Sequence, residues 1–353
     1  MQLTEYRTFG RTGLRVSPIT LGTMNFGDPT WGADVKTSEA IIDHYLDAGG
    51  NTLDTANGYA EGRSEETIGG FLTKHPGRRD RVVLATKFAG SMFPGDPNGG
   101  GAGRKAIMHQ VEASLNRLGT DYIDLYWLHN LDPHTPLEET LGTLDDLVRS
   151  GKIRYFGFSD TPAWAVARLV TISELRGWSA VAGIQVEYSL LERSVEGELF
   201  AAARALGLGV APWSPLSGGV LSGKYTRTVH RPADSGRATM SDSQALPEST
   251  YVLLDELADI AKEVNTSIAS VALAWVRGRE EVTSTIIGAR TVEQLDANLG
   301  SLDVEISAEH RARLDELTTV KLPFPFPLLE STVPLWQHAG ATINGVAGPA
   351  RRC

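Results

Sequence analysis

Eight short apolar runs recur along this chain, and longer stretches of helical spacing lie between most of them. That alternation limits the possible folds more than any other feature. The runs span residues 19–21, 51–54, 82–87, 122–129, 153–158, 181–186, 208–213 and 283–287. Between them, residues 38–48, 65–74, 105–118, 137–149, 163–175 and 195–206 carry apolar side chains at helical intervals. Strand–helix alternation implies parallel strands joined by right-handed crossovers. Eight repeats favour an α/β fold closed into a (β/α)8 TIM barrel over an open doubly wound sheet. No GxGxxG follows an early strand, which also argues against a Rossmann fold.

The rest of the chain fits around that frame. Residues 6–9 and 14–16 flank Gly10 and Gly13 and read as a hairpin. Residues 216–247 form a long loop before the eighth strand, rich in Gly, Ser and Thr, of the kind that serves as a lid. Two helical stretches, 251–264 and 268–277, precede the last strand, and a third, 308–317, follows it. Residues 1–320 are expected to form the barrel. Residues 321–353 form a tail with Phe324, Phe326, Leu328, Leu329, Val333, Leu335 and Trp336. That tail is too apolar for a free end and is expected to pack on the barrel or on a partner subunit.

Composition narrows the function. The net charge is −10, from 33 basic and 43 acidic residues, with no basic tract. Nucleic-acid and anionic-membrane partners are therefore not expected. No apolar run is long enough to cross a membrane. The single cysteine, Cys353, allows no intrachain disulfide. Residues 1–13 lack the pattern of a secretory leader. Both features fit a cytoplasmic protein. No Cys/His spacing suits a metal, so none is expected.

In a barrel of this type, chemistry sits at the C-terminal ends of the strands. The second run ends at Asp54, with Tyr59 just beyond. The third ends at Lys87 and the fourth at His129. Consecutive units place these ends side by side. Taken singly, each has an ordinary explanation: a loop cap, a packing tyrosine, a lysine reaching solvent, a core histidine. Four such groups on one rim are harder to dismiss, because isolated buried charges are costly. They suit proton delivery to a carbonyl oxygen. A free tyrosine titrates near about 10. A neighbouring ammonium, Lys87, would favour its phenolate, and Asp54 would hold Lys87. His129 would orient the substrate oxygen. The hydride must come from a cofactor.

Seven segments then carry a resemblance. They are LDTANGYAEGRSEETIG (53–69), ATKF (85–88), DLYWLHNLDP (124–133), GFSD (157–160), QVEYSLLER (185–193), PWSPLSGGVLSGKY (212–225) and IIGARTVEQLDAN (286–298). Together the chain resembles the aldo-keto reductase superfamily, nearest the branch of bacterial oxidoreductases and potassium-channel β subunits. The resemblance implies Tyr59 as general acid, Lys87 as its tuner, Asp54 as support and His129 as orienting group. It implies an extended nicotinamide dinucleotide, NADP(H), across the barrel mouth. Thr23, Asp54, Ser159, Asp160 and Gln185 would surround the nicotinamide, and Trp213 would stack on it. Ser214, Pro215, Leu216, Gly218 and Lys224 would follow the pyrophosphate, with Arg237 reaching in from the lid. Gly288, Arg290, Gln294 and Asn298 would form the adenosine-phosphate pocket. Two departures stand out: Asp160 occupies a common Asn position, and Trp213 a common Tyr position.

Trp31, Met92, Phe93 and Asn130, with Tyr59 and His129, are the expected substrate contacts. Gln294 has a second reading, as part of a capping box with Thr291. The glycines of residues 99–103 read as a flexible loop without a phosphate-binding GK[ST] ending. The leading expectation is an NADPH-dependent reductase of aldehydes or ketones. A cofactor-bound regulator without catalysis and a Schiff-base aldolase using Lys87 are the alternatives. His129 argues against the first, since the channel β subunits can carry Asn there, and a charged Lys87 against the second. The substrate and the oligomeric state are not legible.

Overall fold

All eight apolar runs form strands in the computed structural model, which describes residues 1–230 and 246–349. They are β1 (Ile19–Gly22), β2 (Thr52–Asp54), β3 (Val83–Phe88) and β4 (Ile123–Leu128). β5 (Ile153–Ser159), β6 (Val181–Glu187), β7 (Gly209–Trp213) and β8 (Thr285–Ile287) follow. Every pairing is parallel, in the order β8-β1-β2-β3-β4-β5-β6-β7. At the remaining seam, Thr283 N and Ser284 N donate to the Val210 carbonyl at 2.9 and 3.3 Å. The sheet is thus nearly closed into a (β/α)8 barrel, with the helices outside.

Strand parity decides what faces inward, because successive side chains alternate across a sheet. Leu84, Phe88, Tyr126 and Leu128 join the large core between strands and helices. Val83, Ala85, Leu125, Trp127 and Ala211 form a separate cluster inside the barrel. The hairpin of Arg7–Thr8 with Arg15–Val16 supplies Phe9, Leu14 and Val16 to that inner cluster. Phe9 meets Trp127 edge-on, with 5.9 Å between ring centres. Glycines make the room. A β-carbon at Gly157 would sit 2.4 Å from the Trp127 ring, and one at Gly183 2.5 Å from Phe9.

The helices follow the expected periodicity: α1 (Val35–Asp47), α2 (Arg63–Lys74), α3 (Arg104–Leu118), α4 (Leu137–Arg149) and α5 (Ala163–Arg176). One boundary differs. Residues 195–197 are not part of α6 (Glu198–Leu206); a 3-10 turn at Ser194–Glu196 is cut off by Gly197, whose backbone leaves helical geometry. Then come α7 (Glu248–Glu263), α8 (Ile268–Arg277), α9 (Val292–Leu299) and α10 (Ala308–Leu317). Ser267, Thr291 and Ser307 cap α8, α9 and α10 with their hydroxyl oxygens.

The tail contains a short helix, Phe326–Thr332, a wider turn, Val333–His338, and a small hairpin of Thr342–Ile343 with Val346–Ala347. Leu322 and Phe326 lie against Gly197. Phe324, Leu328, Leu329 and Trp336 are exposed. No helix among the described residues is long and apolar enough to cross a membrane.

Candidate active site

The parity that fills the lower barrel with apolar groups puts polar ones at its upper end. Val83, Ala85 and Lys87 share one face of β3, as Leu125, Trp127 and His129 do along β4. Asp54 pairs with Ala85, and Lys87 with Trp127. Ser159 pairs with Gln185, and Gln185 with Ala211, two residues before Trp213. The inward positions at the ends of β2 to β7 are thus Asp54, Lys87, His129, Ser159, Gln185 and Trp213.

Lys87 is the hub. Its side chain is 1% exposed. The ammonium forms an ion pair with Asp54 Oδ1, donates to Thr55 O at 2.9 Å and donates to the Tyr59 hydroxyl oxygen at 3.0 Å. An ammonium has three protons, so its donors are fully used. Tyr59 accepts there, which leaves its own proton free to point elsewhere. Asp54 Oδ2 accepts from Gln185 Nε2 at 3.0 Å. Thr23 N and Oγ1 both donate to the Asp54 carbonyl, at 2.9 and 3.0 Å. Burial alone would depress the Lys87 pKa, but Asp54 and Tyr59 outweigh it and the net shift is upward. Lys87 is therefore a cation and not an amine nucleophile.

His129 meets Tyr59 edge-on, with 5.7 Å between ring centres. Burial, helped by the Lys87 charge, lowers its pKa from 6.5 to about 4. The imidazole is neutral at pH 7. That shift makes the stability of the fold depend on pH. The unfolded chain takes up a proton at this residue below pH 6.5, while the folded one waits until about 4. The contribution is whole above 6.5 and is lost as pH falls through that window. Its ceiling is about 3 kcal/mol, reduced by partial exposure. His129→Gln should flatten the fall in unfolding free energy between pH 6.5 and 4, measured by urea titration. An equally steep fall in the variant would show that His129 carries no such term.

These groups open into a cavity of about 540 Å³. Tyr59, His129, Asp54 and Trp31 line one part, with Thr23, Ser159, Asp160, Gln185 and Trp213. Ser214, Pro215, Leu216, Gly218 and Lys224 line it too, as do Gly288, Arg290, Gln294 and Asn298. Three expected substrate contacts do not line it. The loop after β3 folds back on itself, with Met92 N donating to Gly99 O at 2.8 Å. Phe93 is 48% exposed and packs against His109 of α3. Asn130 is exposed. Arg237 lies outside the described residues. Met24, Asn25, Tyr225, Ser267 and Ala269 also line the cavity and were missed from sequence. A signal for Asn25 existed. In a closed barrel β1 neighbours β8, so their following loops must meet. Asn25 Nδ2 donates to Ala289 O at 2.8 Å.

Glycines leave part of the wall as open backbone. Gly218 and Gly219 adopt φ of +63° and +98°, a region that favours glycine. A β-carbon at either would meet no atom within 4 Å, so each backbone faces open space. Gly288 is likewise open. Asp160, Ser214 and Ser217 hold left-handed backbone at φ 43°, 55° and 49° in the loops after β5 and β7. Such strain persists where the surroundings impose it and gathers at binding sites. At α9, Gln294 Oε1 accepts from Arg290 N at 2.9 Å, while Gln294 N donates to Thr291 Oγ1 at 3.2 Å. This reciprocal cap uses the Gln294 oxygen and spares its amide protons. Asn298 Nδ2 donates to Gly288 O at 3.0 Å. No acidic, Cys or His cluster suited to a metal occurs among the described residues.

Residues 18–319 match the family model described as the Aldo/keto reductase family. The chain belongs to the aldo/keto reductase family. Among its relatives is the uncharacterized oxidoreductase YrpG of Bacillus subtilis (strain 168), 39% identical over 322 residues. That match covers 89% of this chain and 95% of the relative. Versiconal hemiacetal acetate reductase of Aspergillus parasiticus is 33% identical, covering 88% of this chain and 96% of its own. A probable voltage-gated potassium channel subunit beta of Oryza sativa subsp. japonica is 36% identical, with coverages of 85% and 92%. The branch expected from the motifs is the one these relatives represent. Membership makes the chain an oxidoreductase of a family that reduces carbonyl groups with nicotinamide cofactors.

Proposed function

We propose that this family member reduces an aldehyde or ketone to an alcohol, reversibly, with NADPH as the partner cofactor. The observation that carries the reading is the hydrogen bond from Lys87 Nζ to the Tyr59 oxygen at 3.0 Å. It stabilises negative charge on that oxygen and leaves the phenolic proton to face the cavity. Tyr59 then gives its proton to the carbonyl oxygen as charge develops there, and takes it back in the reverse direction. His129, neutral, offers a ring N–H to the same oxygen and sets its angle. Asp54 and Gln185 fix Lys87 in place. The bound nicotinamide supplies the hydride, which no side chain can. Well-placed acid–base catalysis of this kind contributes about 10²–10⁴-fold. A panel of small aldehydes and ketones with NADPH, followed by loss of cofactor absorbance, tests the reading. Cofactor binding without turnover across the panel would favour the regulator instead.

The preference for NADPH over NADH rests on the loop between β8 and α9. The two cofactors differ by one phosphate on the adenine ribose. Free N–H groups at a helix start favour an anion, and Arg290 can offer forked donors beside them. Gln294 keeps its amide protons for the same purpose. A hydrogen bond to a charged group is worth about 1.5–3 kcal/mol, or roughly 10- to 150-fold in affinity. Arg290→Ala should weaken NADPH binding by that factor and barely change NADH. Equal weakening of both, read by calorimetric titration, would remove Arg290 from the phosphate site.

A further inference from the structure

The catalytic end of the cavity holds three charges, and they do not cancel. Lys87 is positive and is paired with Asp54. His129 is neutral at pH 7. Asp160 remains. Its side chain accepts a hydrogen bond from Trp213 Nε1 at 3.1 Å, and both residues line the same cavity as Tyr59. Among the described residues no lysine, arginine or histidine forms an ion pair with Asp160. Burial lifts its carboxyl above the usual carboxylate range, opposed by the Trp213 hydrogen bond and by the Lys87 charge, which acts through space. The residue is held in left-handed backbone at φ 43°, which ties its position to the turn after β5. Its amide N donates to Gln185 O at 3.1 Å, so the turn is also anchored to β6.

A hydride and a proton reach the two ends of one carbonyl. The redox ring must therefore lie at the same end of the cavity as Tyr59, within a few ångströms of the reacting carbon. The oxidised nicotinamide ring carries a positive charge and the reduced ring carries none. We propose that Asp160 is a charge-selecting residue that makes this site favour the oxidised cofactor over the reduced one. The proposal rests on the nicotinamide reading given above and deepens it. An asparagine would keep the shape and the acceptor for Trp213 Nε1 but would lose the charge. The carboxylate adds attraction for one redox form only, so it moves the equilibrium between bound alcohol plus oxidised cofactor and bound carbonyl, reduced cofactor and a proton. The shift is toward the alcohol side.

The test is calorimetric titration of the full chain with NADP⁺ and, separately, with NADPH, at pH 7. Two charges a few ångströms apart in a partly wet site interact by an amount worth about tenfold in affinity. Asp160→Asn should weaken NADP⁺ by about tenfold and change NADPH less than about twofold. The ratio of the two dissociation constants then moves by a decade, equivalent to about 30 mV in the potential of the bound two-electron couple. Trp213→Phe removes the hydrogen bond and keeps both the carboxylate and an aromatic face, so it should move the ratio by much less than Asp160→Asn does. An unchanged ratio in Asp160→Asn, or an equal change of ratio in Trp213→Phe, would overturn the charge assignment. If the wild-type chain binds neither form, the nicotinamide reading itself fails.

Discussion

Replacing Tyr59 by phenylalanine should lower carbonyl reduction by at least about 10²-fold while leaving cofactor affinity unchanged. The ring stays, so its edge contact with His129 stays too. Only the hydroxyl goes, and with it the phenolic proton. Lys87 loses one of three acceptors but keeps Asp54 and Thr55 O. The fold should therefore hold. The measurement is single-turnover oxidation of bound NADPH by an aldehyde, beside a binding titration. Turnover at the wild-type rate would rule out Tyr59 as the acid. A parallel loss of binding would mean that the variant disturbed the cavity and not the proton.

Lys87→Met should do two separable things. It strands Asp54, whose side chain is only 5% exposed, without its counter-charge. Breaking a buried pair by removing one partner costs about 3–5 kcal/mol. The denaturation midpoint should drop accordingly. Adding Asp54→Asn removes the stranded charge and should restore much of that stability. Activity should not return with it, because Tyr59 still lacks the ammonium beside its oxygen. Alcohol oxidation should suffer too, because no ammonium then stabilises negative charge on the Tyr59 oxygen. A double variant that recovers turnover along with stability would show that Lys87 matters only as a structural partner.

Much of this architecture was legible because strand and helix periods differ. Runs buried on both faces read as continuous apolar stretches, and all eight became strands. The cluster was legible for the same reason: Asp54, Lys87 and His129 are polar groups at the ends of otherwise apolar runs, and a barrel brings consecutive ends together. Direction within loops was not legible. Nothing in the spacing of residues 88–104 says that Met92 turns back to Gly99 or that Phe93 packs on α3. The start of α6 was misplaced because Val195 continues the apolar pattern, while Gly197 breaks the backbone beneath it. Asn25 was missed for want of the closure argument that joins β1 to β8. The Gln294 capping reading anticipated its cap, though the accepted amide is that of Arg290 and not of Thr291.

The pairing of β1 with β8 has a consequence for how the chain comes to exist. Thr20 and Ser284 share a hydrogen bond at 2.6 Å across a separation of 264 residues. Phe9, near the start, completes its packing only against Trp127, Gly183 and Gly209. A ribosome delivers these partners late, at about 5–20 residues per second. Until β8 emerges, β1 presents a bare edge of the sort that pairs with whatever strand it meets. Contacts so distant in sequence also slow closure after release. The nascent chain therefore spends its most vulnerable seconds with its first barrel strand unmatched, and a stop anywhere before residue 285 would leave that state permanent.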